Sequence, residues 1–102
     1  MDNKKRNELI LLSQRICDSA NGMLKEYLEK TYAEAGPETM GDQLEDWLYV
    51  AEESCAYMLG NAVAMLDPEV RDAEITGFEK YLRQVIRKAE EKFDNGGAEL
   101  LQ

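Results

Sequence analysis

Histidine is absent from this chain of 102 residues. Imidazole is the usual general base near neutral pH, the partner of serine and cysteine nucleophiles, and a frequent ligand of zinc and di-iron centres. The two cysteines, Cys17 and Cys55, lie too far apart in sequence for a metal-binding pair, and no glycine-rich phosphate loop is present. We therefore predict a non-enzymatic protein with no catalytic residue, no metal site and no cofactor.

A magnesium site built from carboxylates alone is the one catalytic arrangement that the composition leaves open. Glu26 and Glu29 lie about one turn apart on a predicted helix, and helical nucleotide pyrophosphatases use such Glu-x-x-Glu pairs. Those enzymes also need a Glu-x-x-Asp pair, and the available ones, at 69–72 and 91–94, are poorly placed. Both glutamates also point away from the apolar side of their helix, so we interpret them as a solvated face.

Long apolar runs are missing as well. The sequence has no stretch of about 18 apolar residues that could form a membrane span, and no basic leader with an apolar core is expected. We therefore expect a protein of the cytoplasm, or of the host cytoplasm if a phage encodes it, with no membrane contact. Cys17 and Cys55 fall on or beside apolar helical stripes, which is typical of reduced cysteines in a core.

Negative charge, by contrast, is abundant. Aspartate and glutamate number 21 against 12 lysines and arginines, which leaves a net charge of −9. Nucleic acids and anionic membranes are bound through lysine and arginine, so direct nucleic-acid binding is not expected. The predicted partner is a basic protein or a nucleic-acid-binding protein complex. The alternative is that the acidity serves solubility alone.

Apolar residues recur at three- and four-residue steps in three stretches of the chain, which predicts helices. The first helix runs from about Asn7 to Thr31, with a kink or no break at Asn21-Gly22. The central helix covers Gly41 to Leu66. The three bases at positions 4–6 oppose the positive end of a helix dipole, so residues 1–6 are expected to fray.

The pattern of the last third of the chain predicts two helices. Asp67-Pro68 predicts the start of a short one through about Ala73, because proline suits the first helical position. Thr76 and Glu79 resemble a capping box that starts the last helix, and Asn95-Gly96 ends it. Residues 98–102 are expected to be a frayed tail.

Short loops between these helices favour antiparallel neighbours. We predict an all-α fold over residues 1–102 as a single domain, a compact antiparallel bundle of three main helices plus a short fourth. The apolar stripe of the central helix is predicted to be buried. Its residues are Leu44, Trp47, Leu48, Ala51, Cys55, Met58, Leu59, Ala62, Met65 and Leu66.

Carboxylates surround Tyr49 on the other side of the central helix. A tyrosine among acids suits an arginine or lysine of a partner, because the ring adds area and cation–π attraction while the acids steer association. The alternative is a partly buried tyrosine on an ordinary charged helix. Arg87, Lys88 and Lys92 could neutralise part of the charge. The candidate partner-binding residues are Asp42, Glu45, Asp46, Tyr49, Glu52 and Glu53, with Glu26 and Glu29 of the first helix.

Small residues follow the same helix further on, where Ala56, Gly60 and Ala64 are spaced by four. Such a strip lets another backbone approach closely, which would explain a helical glycine that costs roughly 1 kcal/mol against alanine. The neighbour is either another helix of the same chain or a second copy. For a homodimer, the candidate interface residues are Ala56, Gly60, Val63 and Ala64.

Size, acidity and helical pattern together predict a protein that binds a partner and blocks or regulates it. They resemble, in composition and size only, the small inhibitors encoded by phages and mobile elements, such as anti-CRISPR or other anti-defence proteins that occupy a basic nucleic-acid-binding surface. The alternative is a self-assembling structural or adaptor protein that uses the face formed by Ala56, Gly60 and Ala64.

Overall fold

The fold is all-α, as predicted. A computed structural model describes residues 1–96, and within that range three α-helices are present: α1 (Asn3–Thr31), α2 (Met40–Ala64) and α3 (Pro68–Gly96). A short 3-10 helix, Pro37–Thr39, precedes α2. The expected fraying of residues 98–102 lies outside the described residues.

Contacts along the chain group it into two compact units, Met1–Ser54 and Cys55–Gln102. The first unit contains α1, the 3-10 helix and the first part of α2. The second contains the end of α2 and helix α3. The single domain expected over residues 1–102 stays a prediction.

Helix α1 begins earlier than predicted because Asp2 caps it. The Asp2 carboxylate accepts a hydrogen bond from the Lys5 backbone N–H at 2.8 Å, and its carbonyl accepts one from the Arg6 N–H at 3.0 Å. These bonds satisfy backbone N–H donors that the start of a helix otherwise leaves without a partner. The negative charge of the Asp2 carboxylate also offsets the unfavourable positive charge of the three bases at this end of the helix. The helix also continues through Asn21-Gly22 without a break, because the apolar spacing keeps its phase there.

Packing in the first unit is concentrated around the turn between α1 and α2. Leu24 is 9% exposed, and no residue from 1 to 23 is buried or half-buried. The half-buried residues are Leu28, Tyr32, Gly36, Thr39, Gln43 and Asp46. Helix α1 is about 44 Å long at about 1.5 Å per residue, whereas the part of α2 in this unit is only about half that length.

Helix α3 starts at Pro68, where the sequence places it, and the Val70 N–H donates to the Asp67 carbonyl at 3.0 Å. It then continues through Thr76 and Gly77, so the predicted short fourth helix is not a separate element and Thr76 is not a cap. Helical apolar spacing carries across this point, and one interior glycine costs roughly 1 kcal/mol, too little to stop a helix by itself. Among the described residues of this unit, Val63 is the buried apolar one, at 8% exposure.

The apolar stripe of α2 is not the core that the sequence predicts. Leu44 and Leu48 in the first unit, and Met58 and Met65 in the second, are all more than half exposed. The more covered positions on other sides of the helix are Gln43 and Asp46 in the first unit and Val63 in the second, and Leu59 is the half-buried member of the stripe.

Candidate functional site

The acidic face of α2 consists of Asp42, Glu45, Tyr49, Glu52 and Glu53, and all five side chains are exposed. Their spacing of three and four residues places these side chains in one sector of about 120° around the helix axis. Tyr49 lies near the middle of this sector and is 68% exposed. Helix α2 contains no lysine or arginine, so its own side chains cannot neutralise the face.

Asp46, which we grouped with this face from sequence, serves the fold instead. It is half-buried, and its carboxylate accepts a hydrogen bond from the Tyr32 hydroxyl at 2.6 Å. The pKa of Tyr32 is raised to about 12, chiefly by that bond and further by desolvation and the nearby charges of Asp46 and Asp42. Asp46 is therefore held by its own chain and is less available to a partner than its neighbours.

Glu26 and Glu29 are exposed on α1, but lysines of the same helix accompany both. Lys30 Nζ lies 3.2 Å from Glu26 Oε1, and Lys25 Nζ lies 3.9 Å from Glu29 Oε1. Exposed pairs of this kind are worth about 0–1 kcal/mol and form or break easily. They still cancel much of the negative charge here, so these glutamates add less to an acidic surface than the residues of α2 do.

Arg87, Lys88 and Lys92 belong to the second unit and are exposed. Among the described residues, ion pairs of at most 4.0 Å join neighbours on one helix, as Arg83 and Glu79 do at 3.1 Å. Neutralisation of the acidic face by the three bases stays a prediction.

The small-residue strip lines a groove in the second unit. Ala56, Gly60, Val63 and Ala64 share this groove of about 400 Å³ with Leu59, Arg71 and Ile75. Val63 is buried within its own chain. A Cβ added to Gly60, however, would have no described atom within 4 Å. Close packing by the described residues of the second unit therefore does not explain Gly60, and both interpretations of the strip stay predictions.

Arg71 is the residue at this groove that the sequence analysis missed. Its Nη2 donates to the Ala64 carbonyl at 3.0 Å, and its Nε donates to the Leu66 carbonyl at 3.1 Å. The last carbonyls of a helix have no partner within the helix and carry partial negative charge, which a guanidinium fork satisfies well. The sequence signal that could have predicted this contact is an arginine three residues after the proline that starts α3.

Cys17 and Cys55 are free thiols, and both are exposed, so their predicted burial is wrong. Among residues 1–96, no group of three or more cysteine, aspartate or glutamate side chains is arranged to hold a metal ion. Across that same range, no helix combines the length and apolar character needed to cross a membrane.

The geometry thus offers two surfaces suited to binding, the exposed acidic face in the first unit and the open groove in the second. The acidic face supplies charge and one aromatic ring, and the groove supplies apolar area and room for close approach. Comparisons with protein-family models, with curated proteins and with solved structures find no match.

Proposed function

We propose that this protein is a small, acidic, non-enzymatic binding protein whose acidic face docks on a basic surface of a protein partner and blocks or regulates it. The observation that supports this most is Tyr49, 68% exposed among four carboxylates on a helix without lysine or arginine. Tyrosine is enriched at the energetic centres of interfaces. Here it would stack against arginine or lysine while the acids speed association.

A surface that normally holds nucleic acid is the kind of basic partner that fits best. Such surfaces present rows of lysine and arginine, and the net charge of −9 provides long-range attraction to them. An inhibitor of the type encoded by phages or mobile elements would act in this way, by occupying the site that DNA or RNA needs. The proposal predicts that binding weakens as salt rises and that nucleic acid competes with it.

Capture from a lysate at low and moderate salt, with nuclease added and proteins identified by mass spectrometry, tests the proposal. The disrupting variant combines Glu45→Lys with Tyr49→Ala. The matched control combines Glu69→Lys with Tyr57→Ala, which changes charge and aromatic content equally but lies off the acidic face. We expect a basic protein to be captured by the native chain and by the control, and lost with the disrupting variant.

Equal capture by the disrupting variant and its control would rule out the acidic face. The captured partner, once purified, is then used in a competition experiment. DNA or RNA should displace the acidic chain from the purified partner, and insensitivity to both salt and nucleic acid would show that the interface is apolar instead.

The second candidate function is self-assembly through the groove, as a structural or adaptor protein. The open space beside Gly60 favours it, because a closely approaching helix from another copy would explain a glycine that the described chain does not need. Gly60→Leu should then prevent self-association, measured by light scattering. Gly77→Leu is the control, because Gly77 also lies inside a helix with no described atom within 4 Å of an added Cβ.

The compact antiparallel arrangement of the helices belongs to the same set of proposals. Short connections at residues 32–39 and 65–67 support antiparallel neighbours. Distances between spin labels placed on exposed positions of the three helices would test it directly.

A further inference from the structure

We draw no further inference here: the strongest candidate, the apolar stripe of α1 formed by Leu9, Leu12, Ile16, Met23 and Tyr27, carries none because nothing in the described part of the chain shows what covers it.

Discussion

Tyr32 and Asp46 connect the end of α1 to the beginning of α2 through one short hydrogen bond, 2.6 Å from hydroxyl to carboxylate. The two residues are 14 positions apart, and the bond joins the residue that follows α1 to a residue of α2. It turns one of the predicted partner-binding acids into a structural residue.

Alkaline titration should detect Tyr32 as a tyrosine that ionises late. Its pKa is about 12, above the ordinary 10.0, mainly because the neutral hydroxyl donates to Asp46. A folded-state pKa that is raised means that the contribution of this bond to stability is complete below pH 10 and is lost as the pH rises through 12. The absorbance of tyrosinate follows this ionisation. The titration should show a late step, and Tyr32→Phe should remove that step.

Asp46→Asn should lower the pKa of Tyr32 toward 10.0, because it removes the negative charge that disfavours the phenolate. If Tyr32→Phe removes no late step from the titration of the folded protein, the bond does not form in solution.

Asp2→Ala should destabilise the first turns of α1 by about 1 kcal/mol, because it removes the carboxylate that accepts from Lys5. Asp2→Asn is the control, since asparagine caps helices nearly as well. Amide hydrogen exchange at residues 5 and 6 measures the effect locally. Equal exchange in the alanine and asparagine variants would show that the cap contributes nothing.

Arg71→Met should lower the free energy of unfolding by about 1 kcal/mol, because the carbonyls of Ala64 and Leu66 lose their guanidinium donors. Arg83→Met is the matched control. Arg83 makes an exposed pair with Glu79 on its own helix, which is worth only about 0.3–0.5 kcal/mol. Chemical denaturation compares the two variants, and a loss no greater at Arg71 than at Arg83 would contradict its capping role.

Gly60→Ala should stabilise the helix by up to about 1 kcal/mol, because alanine is the better helix former and its methyl group meets open space. Gly77→Ala should give a similar gain for the same reason. Thermal unfolding at low and at high protein concentration measures both, because any contribution from self-assembly grows with concentration. A gain at Gly77 combined with a loss at Gly60 would reveal a close neighbour at the groove, and would support self-assembly there.

Local signals predicted most of the helical structure. Pro68 is the first residue of α3 because its fixed backbone angle suits the first turn. The helical phase across Asn21-Gly22 correctly indicated that α1 does not end there. The prediction that a separate helix starts at Thr76-Gly77 was wrong. The capping pattern there lies inside α3, whose apolar phase continues on both sides.

The candidate site was predicted only in part. Exposure of the carboxylates and of Tyr49 agrees with their position opposite the apolar stripe of α2. The bond between Tyr32 and Asp46 depends on how α1 meets α2 across a turn, and the contact of Arg71 with Ala64 and Leu66 depends on how α3 leaves α2. Neither is visible in the spacing of residues along one helix.

The sequence by itself determined the all-α class, the approximate extent of the helices and an acidic, histidine-free surface, because these follow from local periodicity, capping and composition. Only the tertiary structure decided which apolar stripes are covered. Periodicity shows that a helix has an apolar side, but burial depends on the direction from which a neighbour approaches. In α2 the covered positions are Gln43, Asp46, Leu59 and Val63, whereas Leu44, Leu48 and Met58 of the apolar stripe are more than half exposed.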